Sequence, residues 1–430
     1  MPLGGICSPR KGEFRGVRLQ IIKHPSSARA DSKAEPPPPG QARLSSVDAY
    51  RGLVMFLMLA EVLRLCAVSA AQPNSTFWRL LCHQQTHAAW VGCSLHDLIQ
   101  PGFYFLVGVA LPFSIASRLA RGQAFTSMLG HAVGRSLILI GLGLIMIAVH
   151  PRRWVWQFDD TLSQIGLAYP FAFLLAFRRP RERWIAFAIV LTGYWLWFAL
   201  TPLPRPDFDF AAVGVPADWL SEHGLAGFAA HWQINSNPAA AFDRWFLNLF
   251  SRNTVYTGSL NGLTTLNFIP SIGTMLLGLA AGDVLRGTHP PWGKVRRLAL
   301  AGALLLSIGW VLGALGVCPV VKAIWTPSWV LFSGGWCFLF LAAFYALVDI
   351  GGMRRWVFPL IVIGSNSIVA YSISHFYPAL AYNSLRRVVG DGVFRIFGDA
   401  YEAFVYGSVI LLGYWLFLFI LYRRKLLLRI

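Results

Sequence analysis

HAAWVGCSLHDLIQPGFYFLVGVALPFS, residues 87–114, places a titratable His and Asp at the mouth of a long apolar run. A run of this kind, near 20 residues, suits a helix crossing roughly 30 Å of hydrocarbon. Ionisable groups beside lipid are retained when they pair, face water or do chemistry, which makes His87 and Asp97 the leading candidate site.

The same pattern recurs along the chain. Its 430 residues are 56% hydrophobic and 13% charged, with a mean hydropathy of +0.54, far from the balance of a soluble domain. Ten stretches, 53–71, 98–117, 132–149, 162–178, 183–201, 264–285, 298–317, 329–349, 357–380 and 404–422, predict an all-α polytopic membrane protein with about ten transmembrane helices. An even number puts both termini on one side. No internal repeat is evident.

A formal charge of +18 would suit nucleic acid, but its distribution points to the membrane instead. Of the 37 Lys and Arg, 26 fall in the tails, loops and span ends of one side and 10 on the other, with Arg64 inside the first span. The positive-inside rule then predicts an inner (plasma) membrane protein with both termini cytoplasmic. The loops holding His87, Asp159 and residues 202–263 face the trans side, periplasm or lumen. Anionic lipid headgroups, or a phosphorylated cofactor, are natural partners for the cytoplasmic excess.

Residues 1–42 are basic and Pro-rich and read as a disordered cytoplasmic tail; 43–430 form one membrane domain, and the first span reads as an uncleaved anchor. The single long connection, 202–263, carries Asp207, Asp209, Asp218, Trp219, Glu222, Trp232, Asp243 and Trp245. It reads either as a trans-side cap suited to a hydroxylated or amine-bearing sugar, or as a solvated loop with aromatics at the interface. The six cysteines form no CxxC; Cys82 and Cys93 share the loop after the first span and are a candidate disulfide there.

Further charges cluster near span ends. Asp48 and Arg51, three apart, either hold and orient a phosphate at the cytoplasmic mouth or cap the helix and pair with each other. Glu61 and Arg64 repeat the spacing deeper, as an ion pair or as a substrate contact. An imidazole such as His87 serves as general base or acyl acceptor near neutral pH, and Asp97 would fix its tautomer, with Gly92 letting the chain turn between them. Trp90 walls the site or anchors at the interface. His83 and His87 with Cys82, Cys93 and His96 make only a weak metal pattern, lacking the intervening Glu of HExxH, and no metal is expected. Asp159, Asp160, Gln164, Asn267, Pro270, Asn366, Ser367 and His375 make three further segments too polar to face lipid; buried Asn267 and Asn366 need a helix or a ligand as partner. Lys322, the one basic residue of its loop, binds an anion or snorkels.

RLSSVDAYRG, the 87–114 segment, LSQIGLAY, TLNFIPSIGTMLLGLAAG, KAIWTPSWVL and GSNSIVAY together resemble bacterial relatives of heparan-α-glucosaminide N-acetyltransferase, from about residue 43 to the C-terminus. The resemblance implies a multi-helix acyltransferase that moves acetyl from cytoplasmic acetyl-CoA to the amino group of a sugar across the membrane. It places the catalytic His on His87 and its partner on Asp97. It further implies a nucleotide near Arg51, Arg121 or Arg135, and oxyanion stabilisation by Asn267, Asn366 or Lys322. Membrane lipid and a second copy of the chain are additional partners; nucleic acid is not. Two departures stand out: Val62, next to Glu61, occupies the place of an Asn in the animal enzyme, and the 202–263 insertion exceeds the animal pattern. A transporter or flippase for a glycan or glycolipid, and a glycan-binding scaffold, are the readings from other classes.

Overall fold

The structure is a computed structural model that describes residues 44–149, 155–376, 387, 390 and 392–426. The expected tail, 1–42, lies outside the described residues. Every extended element described is helical, and the strand pairing present is an isolated antiparallel bridge between Val91 and Val321.

The first apolar stretch is not one straight helix. α1 (Ser45–Leu59) tightens into a 3₁₀ turn at Ala60–Leu63, breaks at Arg64, whose φ is 49°, and resumes as α2 (Leu65–Ala71) at 42°. A break inside an apolar segment strands backbone groups that lipid cannot satisfy. Here α3 (Thr76–Gln85) supplies the partner: the Gln85 amide donates to Ala60 O at 2.6 Å and accepts from Leu65 N at 2.8 Å. A disulfide between Cys66 and Cys82 closes the same corner. This corrects the expected Cys82–Cys93 pair. The break turns Cys66 toward α3, while Cys93 stays a free thiol whose Sγ donates to Ser94 O.

The remaining helices follow from simple signals. α4 (Ile99–Ala120) is entered through a 3₁₀ turn at His96–Leu98, and α5 (Phe125–Val149) returns. α6 (Thr161–Ala176) starts at Asp160, whose carboxylate accepts from Leu162 N and Ser163 N as a helix cap. α7 (Pro180–Leu200) has Pro at its first position, where a missing N–H costs nothing. Residues 202–263 hold two short helices, α8 (Ala217–His223) and α9 (Pro238–Phe246). Then come α10 (Phe268–Arg286), α11 (Pro291–Ala314) and α12 (Pro327–Phe344), the last two again begun by Pro. α13 (Phe358–Ser365) and α14 (Ser367–Phe376) are bent by 81° at Asn366, and α15 (Glu402–Arg423) ends the bundle.

Among the described residues seven helices are long and apolar enough to cross a membrane, nine if each bent pair is one span, and α6 is a shorter apolar helix. The chain is therefore a multi-pass integral membrane protein. The described residues of the ten expected stretches fall on these elements, with two broken and one short, and residues 377–380 of the stretch 357–380 lie outside the described residues. Hydropathy sees a continuous apolar run across a bend because it averages over the window.

α4 and α10 form the packed centre. They approach until Gly108 faces the Met275 carbonyl and Gly278 the Phe105 carbonyl, leaving no room for a Cβ at either. Outer helices present apolar side chains to the surroundings, among them Ile189 on α7 and Leu304 on α11, the expected lining of a lipid face. A second apolar core joins Tyr194 and Phe198 of α7 with Val213, Trp232 and Ile234 of the 202–263 segment and with Cys318, Val321 and Ile324. Residues of 202–263 thus pack on α7 and on the loop between α11 and α12.

The disulfide closes a 16-residue separation, for which chain-entropy arguments give about 3 kcal/mol. Cys66→Ser or Cys82→Ser is expected to lower the thermal unfolding midpoint in detergent, and dithiothreitol to lower it equally in the parent. Cys93→Ser should leave it unchanged; a loss with Cys93→Ser instead would support the other pairing.

Candidate functional site

The site is assembled where three segments meet at the start of α4. The loop carrying His87 lies against the loop carrying Lys322: Val91 pairs with Val321, and Gly92 N donates to Val320 O at 3.0 Å. Gly92 has φ 126°, a conformation that glycine alone adopts without strain, and it reverses the chain between His87 and Asp97. Trp90 is buried, its Nε1 donating to Trp232 O at 3.1 Å and its ring edge-on to Trp219, so the cap holds the loop from above.

Asp97 is the hub, its side chain 1% exposed. Oδ2 accepts from Ala88 N (3.0 Å), Ser94 N (3.0 Å) and Ser94 Oγ (3.1 Å). Oδ1 lies 2.8 Å from His87 Nδ1 and accepts from Lys322 Nζ at 3.0 Å. Lys322 Nζ also lies 3.1 Å from His87 Nδ1; in the tautomer protonated at Nδ1 the imidazole donates to the ionised Asp97, the strongest acceptor in reach, and presents the Nε2 lone pair outward. The His87 side chain is 58% exposed, accessible to a substrate. Burial pulls the Lys322 ammonium below the ordinary lysine value, with Asp97 pulling the other way.

A second pair adjoins the first. Glu61, carried on the 3₁₀ turn after α1, sits 3.1 Å from His96 Nε2, and the His96 and His87 rings are 4.6 Å apart. From sequence, His96 had entered only as a weak metal ligand; its position one residue before Asp97 was the available signal. Among the described residues no group of three His, Cys, Asp or Glu side chains converges as metal ligands would.

Other candidates are occupied within the protein. Asn267 donates to Ala323 O at 2.7 Å and accepts from Thr264 Oγ1 at 2.6 Å. Asn366 donates to Leu426 O at 3.1 Å from the bend between α13 and α14. With Trp90, these side chains hold the loops and helices around the site.

Toward the far ends of α1 and α4 lies a cavity of about 460 Å³, within the ~300–1,000 Å³ of small-molecule sites. Asp48, Arg51, Ser114, Arg135 and Tyr169 line it together with apolar residues of α4, α5 and α6. Arg51 pairs with Asp48 at 3.1 Å, and Arg135 lies over the Tyr169 ring with its Nε buried and, among the described residues, without a hydrogen-bond partner. Arg121 is not in the lining; it caps α4, donating to Ser117 O. The first α4 residue of the lining is Phe103, six positions past Asp97, or about 9 Å along the helix axis. A second cavity of about 390 Å³ shares Tyr371 with the first and brings Asp160, Gln157 and His375 together.

Acidic groups also gather beneath the cap. Burial raises Asp159 to about 6 and Asp243 to about 7, with Arg252 opposing both shifts. Asp243 Oδ2 accepts from Thr265 N at 2.8 Å, tying α9 to the entry of α10.

No family model matches the chain. It is similar to heparan-alpha-glucosaminide N-acetyltransferase of Homo sapiens, 25% identical over 375 residues, 76% of this chain and 52% of the human protein. The Mus musculus protein of the same name is 25% identical over 370 residues, 76% of this chain and 53% of its own length. The chain is a distant relative of these proteins and spans about half of their length.

Asp243 generates a pH prediction. Its carboxyl rises from an ordinary 3.8 to about 7 in the fold, so the folded state binds the proton more tightly than the unfolded chain. Its stabilising contribution is complete below pH 4 and is lost as pH rises through 7. Asp243→Asn keeps the acceptor for Thr265 N without the titration. The unfolding midpoint of the parent should fall further than that of the variant between pH 5 and pH 8; equal slopes would refute the assignment.

Proposed function

We propose that this chain is a transmembrane acyltransferase that passes an acyl group, acetyl in the first instance, from cytoplasmic acyl-CoA to an amino sugar or glycan on the periplasmic or luminal side. The observation that carries the reading is the His87–Asp97–Lys322 constellation, with an accessible imidazole whose tautomer is set by a saturated, buried carboxylate. The likeness to N-acetyltransferases over 76% of the chain supports it. So does the 460 Å³ cavity on the same helix α4, where Arg51 and Arg135 suit the phosphates of a CoA and the unpartnered Arg135 Nε suits an anion.

Sidedness follows the charge asymmetry of the loops. The Cys66–Cys82 disulfide agrees with it, because such bonds persist on the oxidising side of a membrane. His87 then faces the acceptor, and the thin pantetheine arm of a CoA held near Arg51 and Arg135 reaches toward it past Phe103. His87 Nε2 either removes a proton from the acceptor amine as it attacks the thioester, or attacks the thioester itself and carries the acyl group. Asp97 stabilises the imidazolium formed on either route. Lys322 places positive charge 3.1 Å from His87 Nδ1, which would favour negative charge developing at the site.

The test is acetyl-labelled acetyl-CoA given to detergent-purified protein with glucosamine and glycan fragments, transfer being followed by mass spectrometry. His87→Ala is expected to lose about 10²–10⁴-fold in rate. Arg135→Ala should raise the KM for acetyl-CoA and leave the KM for the acceptor unchanged. Absence of CoA release from folded parent protein would overturn the reading in favour of a transporter or flippase.

A further inference from the structure

Asp97 is buried and its oxygens are saturated, so it is closed to an incoming acceptor. Glu61, by contrast, has a side chain 56% exposed, with one oxygen 3.1 Å from His96 Nε2. His96 is itself buried, and its ring centroid is 4.6 Å from that of His87. A solvent-accessible carboxylate, braced by a buried imidazole, therefore stands beside the reactive one.

Its position is costly to maintain. A straight helix would carry Glu61 on around the α1 spiral, but the chain tightens there and passes through Arg64 in the left-handed region. Such conformations are strained in a residue with a side chain and persist where the surroundings enforce them. Gln85 enforces this one from both sides of the break, and Cys66–Cys82 locks the element that carries Gln85. Two devices thus hold the turn that carries Glu61 beside His96.

We propose that Glu61 and His96 form a second proton-handling pair, which seats the ammonium form of the acceptor beside His87 and takes its first proton. The proposal rests on the acyl transfer proposed above. An amine reaches the site largely as R–NH3+ and has no lone pair for attack. Glu61 accepts one proton, leaving R–NH2. The nitrogen lone pair forms the C–N bond at the thioester carbonyl carbon; His87 Nε2 takes the second proton, the C–S bond breaks, and the departing thiolate is protonated from His87. Glu61 then returns its proton to water. The sum is R–NH3+ plus acyl-CoA giving amide, CoA thiol and one proton. His96, which does not touch the substrate, is a positioning residue that fixes the Glu61 carboxylate.

The test compares glucosamine with hydroxylamine, a nucleophile uncharged at the assay pH, using the full-length parent, Glu61→Gln, Glu61→Asp and His96→Asn, each above the His87→Ala background. Gln preserves the acceptor for His96 and removes the charge. Glu61→Gln is expected to lose about tenfold to a hundredfold in kcat/KM with glucosamine, chiefly in KM, and to keep hydroxylamine transfer and the KM for acetyl-CoA within about twofold. Glu61→Asp should recover part of the loss, and His96→Asn should show a weaker version of the same split. Equal losses with both acceptors, as a purely structural ion pair or a folding defect would give, overturn the proposal, as does no loss with either. If the parent transfers to neither acceptor, the acyltransferase reading fails first and this proposal falls with it.

Discussion

One buried carboxylate ties the candidate site of this molecule together. Asp97 sits in the 3₁₀ turn that leads into α4, and its two oxygens gather the backbone and hydroxyl of Ser94, the backbone of Ala88, the His87 ring and the Lys322 ammonium. A charge so withdrawn from water is tolerable only because every lone pair is engaged by a donor, two of them cationic or potentially so. Breaking that set would leave an uncompensated charge at the end of the bundle, so the loops before α4 and before α12 are held in register by the electrostatics of a single group.

The second constraint is imposed by hydrocarbon. Lipid offers no hydrogen bonds, so each departure from regular helix must be repaired from within. The bend after α1 is repaired by Gln85, and the 81° bend between α13 and α14 is braced by Asn366 donating to Leu426 O, just past α15. Both bends lie at the edge of a proposed site: Glu61 sits at the first, while Gly364, Ser365 and Ser367 line the cavity at the second. Both breaks thus lie where the chain borders a polar group or a cavity.

The sequence was most legible where one dimension suffices. Hydropathy located each apolar segment, and the spacing of His87 and Asp97 around Gly92 drew attention to the pair the structure joins. It was least legible where distant segments converge. Lys322 lies 225 positions from Asp97, and no local pattern announces that they share an oxygen. The partner of Cys82 was misread because the break at Arg64, a non-glycine residue in a left-handed conformation, has no sequence signature; Cys66 looked buried in a straight span. Glu61 drew notice as a charge in the wrong place, yet its contact with His96 depends on that same hidden break. Asn267 and Asn366 were correctly seen as needing partners, and the structure supplies protein ones.

Trp90 stands three residues from His87 with its indole clasped by the Trp232 carbonyl and the Trp219 ring and pressed against Gly262. The cap and the His87 loop are consequently one mechanical body. A displacement of residues 202–263 would therefore reach the backbone that carries the His87 imidazole through one buried indole, with no hinge between them.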